Sequence, residues 1–486
     1  MAGLCATVIH AQQRGPLPGD DVLARVGSRT ITVQDFQDRI DFMPWPGKDN
    51  PATRDSAKIQ ALASLVAEKL LSIQAADQGF LENSKTSTAI NAIEKLLSRD
   101  LLYRREVMGR ITIREEELQT ALRRYASIVR LNTYRMDTEE NARRLAEELN
   151  SHTDDTLSSP TATGILAHDT ITVSFGDLTV SYEEVAFRLD SVRQAEAAFD
   201  ADVGWSVFQL VEKFSNPAFV RANMQERLAA ATQKLKKRKE RGQEVEFNRG
   251  FFTHSMNMDS AAFRHVAESL FVIMVKDSAG HRQEGFFGVR GDDVDELRRA
   301  LSPILHTPFA TMGDLSVTTG EMIEELKFFP LKFEALKKGS FLYTLNKSIQ
   351  PIAEAAVLSQ EAIRRRLNEA QEVQRELGMW GDALQAEKLL KYLLDSLARA
   401  VVHSADSARP ADEKGVVNAI NNYLLSLARR YNVEMYFGKL VNVPISTSNM
   451  VTRRRIGFGG SMMAVPMIMR LFEWLESWNS TTIISP

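Results

Sequence analysis

Cysteine is almost missing from this chain of 486 residues: Cys5 is the only one. One thiol closes no intrachain disulfide and builds no cysteine-rich zinc site, which excludes disulfide scaffolds and zinc ribbons. An excess of one charge is missing too. The 60 basic and 63 acidic residues leave a formal charge of −3, without the basic surplus of a dedicated nucleic-acid binder. No uncharged stretch reaches the roughly 20 residues that a membrane-spanning helix needs. The eight histidines fall in no metal-gathering spacing such as His-Glu-x-x-His. Walker A, Gly-x-Gly-x-x-Gly and Gly-x-Ser-x-Gly sequences are absent, so neither phosphate cradling nor a serine nucleophile has a motif behind it. No cofactor and no metal is expected. What the chain does have is 44% hydrophobic residues, enough for packed cores. At roughly 150 residues per domain its length allows about three.

The N-terminus reads as an address. Residues 2–9 are a short apolar run, followed by His10-Ala11 and Gln12-Gln13-Arg14. Ile9-x-Ala11 suits signal cleavage after Ala11. Residues 1–21 are therefore read as the tail of a secretory signal and a linker rich in Pro, Gly and Asp, with a frayed N-terminus as the plain alternative. Cys5 falls in the removed part. Leu4 before Cys5 fits a lipoprotein signal poorly, so no acyl anchor is expected.

Beyond it the chain reads as α+β and mostly helical. Residues 22–26 and 30–32 are strand-like around a Gly27-Ser28 turn, and a helix follows from Asp35, with Phe36 and Ile40 on one face. Ile59, Leu62, Val66, Leu70 and Ile73 recur at steps of three and four, predicting a helix over 56–78 that closes at Gly79. Helices are expected at 88–108, 114–125, 138–149, 182–189, 383–402 and 416–431. Strands are expected at 127–135, 170–173 and 204–211, and loops at 151–164 and 404–414. Pro217 opens a helix reaching about Gly242, whose basic run (Lys234, Lys236, Lys237, Arg238, Lys239, Arg241) reads as solvated charge at a helix C-terminus. Residues 261–270 suggest a helix and 271–276 a strand. The apolar stretch 456–473 reads as core-packing or partner-docking. The 17 methionines read as core filler before they read as adaptable client-binding surface.

An internal repeat is visible at an offset of 286. Ala24, Gly27, Ile31, Thr32, Asp35 and Phe36 face Ala310, Gly313, Val317, Thr318, Glu321 and Met322 without a gap, and Ile40, Phe42 and Pro44 face Leu326, Phe328 and Pro330. A helix of similar texture follows each copy. Val66-Ala67-Glu68 faces Ile352-Ala353-Glu354, and Gln74-Ala75-Ala76 faces Gln360-Glu361-Ala362.

The order of these features is informative. A Val26-Gly27-x-x-x-Ile31-Thr32 unit opens the chain. Helices and Ile111-Thr112-Ile113-Arg114-Glu115-Glu116-Glu117-Leu118 follow, then a strand and Thr138-Glu139-Glu140-Asn141-Ala142. This resembles the parvulin-type peptidyl-prolyl isomerase chaperones of bacterial envelopes, the SurA and PrsA foldases, over roughly 22–214 and again over 310–400. The resemblance implies a leader and linker (1–21), an N-terminal helical chaperone domain (22–126), a parvulin-like small α/β domain (127–216), a long helix with a connecting region (217–306), a second chaperone-type helical unit (307–402) and a C-terminal helical and apolar segment (403–486).

The active-site pattern departs from the family. Thr133 stands where the family's first isomerase strand has histidine, and Ser206 where its last strand has the second. The Gly-Gly-Asp-Leu-Gly loop survives as Phe175-Gly176-Asp177-Leu178 with Thr179 at the final glycine. Tyr182 and Phe187 match aromatics of the proline pocket, and Trp205 and Phe208 flank Ser206. A prolyl isomerase lowers a barrier of about 18–20 kcal/mol by binding a twisted amide more tightly than a planar one, and neither threonine nor serine titrates near neutrality as histidine does.

The resemblance therefore implies an extracytoplasmic folding factor, in the periplasm or a similar compartment. It would hold unfolded secreted or outer-membrane polypeptides in a cradle between the paired units, with weak or no isomerase activity. An active isomerase and a non-catalytic subunit of an envelope assembly are the alternatives. No nucleic acid and no stable membrane span is expected, and homo-oligomerisation is left open.

Overall fold

The structure is a computed structural model that describes residues 22–80, 84–151, 163–329, 331–404 and 413–478. The expected leader with Cys5, most of the 151–164 and 404–414 loops, and Pro330 lie outside the described residues. The chain divides into two compact units. One is built from the described residues up to Arg104 and from His254 onward, the other from Arg105–Thr253.

The first unit opens with β1 (Val22–Val26) and β2 (Arg29–Thr32), joined at Gly27, whose φ of +59° suits a residue without Cβ. Helix α1 (Val33–Ile40) starts at once because Thr32 caps it. The Thr32 hydroxyl accepts from the Asp35 N–H at 3.1 Å and the Asp35 carboxylate accepts from the Thr32 N–H at 2.9 Å. Helices α2 (Arg54–Asp77) and α3 (Ser84–Glu106) follow.

The second unit starts at α4 (Glu115–Tyr125) and continues through β3 (Ser127–Met136), α5 (Glu139–Ser151), β4 (Ile165–Ser174), α6 (Val180–Arg188), β5 (Ala195–Asp200), β6 (Gly204–Ser215), α7 (Pro217–Arg221) and α8 (Met224–Phe251). Its four strands form an antiparallel sheet in the order β4-β3-β6-β5. One face packs Tyr134, Met136 and Val207 against α5, whose Ala142, Leu145 and Leu149 recur at helical spacing. The other face packs Leu131, Phe208 and Leu210 against Tyr182, Val185, Ala186 and Phe187 of α6 and Leu235 of α8. One expectation fails here. Pro217 opens only the five residues of α7, and the long helix is a separate one, started by Asn223, whose side chain accepts from the Glu226 N–H at 3.0 Å. Strand β5 has no counterpart among the strands that the sequence pattern predicts.

The chain then returns to the first unit with β7 (Asn257–Met258), α9 (Ser260–Lys276), α10 (Ser278–His281), β8 (Arg282–Gln283), β9 (Phe286–Gly288) and α11 (Gly291–Ala300). The strand expected over 271–276 is helical. Val266, Leu270, Ile273 and Met274 continue one buried stripe of α9, and that amphipathic period outweighs the local β-propensity of Val272, Ile273 and Val275.

Next come β10 (Pro308–Met312), β11 (Leu315–Thr318) and α12 (Thr319–Glu325). Their geometry matches β1-β2-α1 position by position at the 286 offset. Val22 pairs with Thr32 and Ala24 with Ile31; Pro308 pairs with Thr318 and Ala310 with Val317, with the same irregularity between the two pairs. Gly313 has φ +57°. Thr318 caps α12, its N–H donating to Glu321 Oε2 at 2.8 Å.

The rest of the unit is β12 (Lys332–Phe333), α13 (Lys338–Arg364), α14 (Gln371–Ser404), α15 (Glu413–Arg430), β13 (Glu434–Met435), α16 (Phe437–Val441), β14 (Arg453–Arg455) and β15 (Met462–Ala464). Each hairpin gains a third strand at the equivalent residue: β13 pairs Met435 with Ala24, and β7 pairs Met258 with Ala310. The helices cross over between the two modules. Helix α3 lays Lys95 and Arg99 on Glu321 and Glu325 of α12, while α14 presents Asp382 to Arg29, Lys69 and Ser72 beside β2 and α2. The apolar 456–473 stretch joins the core: Ile456, Phe458, Met463 and Ile468 are buried. Gln37 and Arg39 donate to the carbonyls of Pro444 and Pro466 in the same C-terminal strap.

Tyr431 ties three pieces of this unit together. Its carbonyl accepts from the Gly27 N–H at 2.8 Å and its hydroxyl donates to Asp77 at 2.6 Å. Burial, with the Asp77 carboxylate beside it, pushes the phenol up to about 12. A raised pKa means the folded state favours the protonated form. The contribution is therefore complete below the ordinary tyrosine value near 10 and is lost as pH rises through about 12. Absorbance titration near 295 nm is expected to show one tyrosine titrating near 12, absent in Tyr431→Phe.

Candidate functional site

Residues directly opposite on antiparallel strands share a face, and that face repeats every second residue. Thr133 lies opposite Phe208 and Arg135 opposite Ser206, so all four face α6. The register thus brings Thr133, Ser206 and Phe208 to one surface under Tyr182 and Phe187. Trp205 lies opposite Met136 and turns to the other face, against the α5 core and Phe199, with ring centroids 5.1 Å apart. It is separated from the other expected pocket aromatics by the sheet itself.

Helix α6 is held down by a buried charge. Glu183 has a fully buried side chain and accepts from the Gly176 N–H at 2.6 Å, from Arg124 of α4 at 3.2 Å and from Arg238 of α8. Gly176 has φ +93°, which lets the loop turn its N–H inward. Lys234 donates to the Phe175 carbonyl at 2.6 Å, and Lys239 pairs with Glu117 at 2.7 Å and holds that carboxyl down at about 2. The basic run therefore sits in mid-helix, with Lys234, Arg238 and Lys239 fastening α8 to α4 and α6. Their steps of four and five, next to the buried Ala231 and Leu235, are the sequence signal for this inward stripe.

The expected pocket is filled. Phe208, Tyr182 and Phe187 are 2%, 6% and 9% exposed. The Tyr182 ring meets Phe208 edge-on at 5.0 Å. Its hydroxyl donates to the Gly204 carbonyl at 2.7 Å and accepts from Ser206 Oγ at 3.0 Å. Burial raises the Tyr182 phenol above its ordinary value, so it stays protonated at neutral pH. Thr133 is half-buried and donates to the Asp169 carbonyl at 3.1 Å. These hydroxyls have partners already, and none is set to accept or deliver a proton near neutrality.

In the first unit a recess of about 170 Å³ lies among Lys95, Arg298, Glu321, Glu324, Phe328 and Gln360. Its charges are internally matched: Lys95 pairs with Glu321, and Arg298 with Glu324 at 3.4 Å. It is smaller than the ~300 Å³ at which ligand clefts begin, and offers no cradle for an extended polypeptide. Among the described residues no cluster of three or more His, Cys, Asp or Glu side chains is placed to hold a metal ion. Among them, too, no helix is long and apolar enough to cross a membrane.

No protein-family model matches the chain, and no curated protein matches it. Among solved structures it is similar to a peptidylprolyl isomerase (PrsA) from Bacillus cereus, at 15% identity and a TM-score of 0.20, over 46% of this chain and 86% of that one. It is likewise similar to the foldase protein PrsA from Streptococcus pneumoniae, at 13% identity and a TM-score of 0.19, over 45% and 86%. Overlap at these scores assigns no residue a role.

Proposed function

We propose that the chain is an extracytoplasmic folding factor that holds unfolded secreted or outer-membrane polypeptides, with weak or no prolyl isomerase activity. The observation that carries the reading is the closed chain of bonds from Ser206 to Tyr182 to the Gly204 carbonyl. At the position where the resemblance places a catalytic histidine, the hydroxyl is already bonded, and the aromatic ring that would line a proline recess is packed into the core. Turnover needs an open apolar recess and a hydrogen-bond network that favours the twisted amide; the bonded Ser206 hydroxyl and the buried Tyr182 ring support weak or no turnover. In the same reading, the two strand-turn-helix modules are copies of one duplicated unit, supported by their common register and capping box.

A protease-coupled assay with a prolyl peptide is expected to show no acceleration above the uncatalysed rate. In parallel, the chain is expected to slow aggregation of a denatured client at equimolar ratio. Isomerisation at enzymatic rates that Tyr182 and Ser206 substitutions abolish would refute the first part. Unchanged aggregation would refute the second.

A further inference from the structure

The two edges of the second unit's sheet are built differently. Strand β5 is six residues long, is packed against both α5 and α6, and carries Glu196, which is paired with Arg188. Strand β4 is ten residues long, and every residue from Leu166 to Thr170 is exposed, as is Thr172. Natural edges are usually blunted by lysine, proline, bulges or a covering element. Strand β4 has no Lys, Arg or Pro, and its register with β3 is unbroken from Ala167 to Ser174. Its only acidic side chain is Asp169.

The direction of its main-chain groups follows from two bonds. The Thr170 N–H donates to Asp169 Oδ1 at 2.8 Å and the Ser174 N–H to Asp177 Oδ2 at 2.7 Å, so neither is directed at β3. The Ser174 carbonyl likewise accepts from the Asp177 N–H at 3.1 Å. In an antiparallel pair, successive residues alternate between bonding the neighbour and facing away. From His168 to Ser174, where the register is unbroken, the even-numbered residues of β4 therefore point their N–H and C=O groups outward. At His168 and Thr172 those groups have no partner among the described residues. Beside them lie the exposed Leu166 and the His168 ring, stacked on Tyr134 at 4.5 Å.

We infer that β4 is the client-binding edge: an extended, low-charge segment of an unfolded polypeptide adds to the sheet as a fifth strand along His168–Thr172. Main-chain hydrogen bonds supply affinity that is indifferent to sequence, which suits a holdase with many clients. The weak charge of the edge favours apolar and neutral segments over charged ones. The inference rests on the holding function proposed above and names the surface that performs it.

The test uses the full chain and reduced, carboxymethylated α-lactalbumin as a permanently unfolded probe. Thr172→Pro removes an outward N–H without breaking a ladder bond, a place where an edge strand tolerates proline. Circular dichroism and melting are expected to be unchanged, while probe affinity falls by at least about tenfold. In the unmodified chain, hydrogen exchange at the His168 and Thr172 amides is expected to slow when the probe is added. His168→Lys, which guards the edge with charge, is expected to weaken binding as well and serves if the proline variant misfolds. Full binding by a folded variant, or protection confined to other segments, overturns the inference and leaves the holding function standing. A wild-type chain that fails to bind the probe removes both. Protection that depends on protein concentration without the probe assigns the edge to a second copy of the chain, and also overturns the inference.

Discussion

Arg99→Ala is expected to lower the stability of the first unit by about 3–5 kcal/mol, the usual result of removing one partner from a buried ion pair. The Arg99 side chain is fully buried. It donates to Glu325 at 3.0 and 3.1 Å, to the Ala355 carbonyl at 3.0 Å, to Ser359 at 3.1 Å and to Ser461 at 3.0 Å. One guanidinium thus joins α3 to α12, α13 and the C-terminal strap, and alanine leaves Glu325 uncompensated away from water. Denaturant unfolding measures the loss. Arg99→Met with Glu325→Leu is expected to recover most of it, because the double change leaves no lone charge. A cost below about 1 kcal/mol for Arg99→Ala would mean that α3 does not complete the second module. The first-module position equivalent to Glu325 is Arg39, whose charge meets Glu68 of α2 through two bonds of 2.8 Å. The same place in two modules carries opposite charges, each neutralised by a different helix.

In the second unit the comparable change is Glu183→Ala, also expected to cost about 3–5 kcal/mol. The substitution leaves Arg124 and Arg238 facing each other without their shared carboxylate, and leaves the Gly176 N–H unpaired. Glu183→Gln keeps the shape and is expected to recover only part, since an amide satisfies the glycine N–H but not two cations. Because Tyr182 is the adjacent residue, the alanine variant is also expected to loosen α6 from the sheet. Hydrogen exchange should speed in α6 before α5, which packs on the opposite face. Equal loosening of both helices would show that Glu183 does not position α6 specifically.

Legibility in the sequence tracked how local each signal was. The Gly27 turn and the Thr32/Asp35 cap are decided within a few residues, and Gly313, Thr318 and the like carboxylate of Glu321 form the same hairpin and cap. Strand β5 was illegible because Ala195-Glu-Ala-Ala-Phe-Asp has little β-propensity of its own and is extended through pairing with β6. The basic run was misread for a related reason. Its charges are plain in the sequence, but the buried glutamate that receives Arg238 lies 55 positions away. Trp205 shows the limit most simply. Its neighbourhood of Ser206 and Phe208 was evident, but its face follows from the register with β3, and one step along a strand reverses the side.

The sequence by itself determined the composition of the cores, the helical majority and the two like strand-turn-helix modules, because these depend on residue type and short periods. Only the tertiary structure decided that α3 and α14 cross between the modules, that Tyr182 closes over Ser206, and that β4 is left with outward main-chain groups. Each of these depends on which distant segments meet. Packing and strand register decide that together, whereas propensity acts within a few residues.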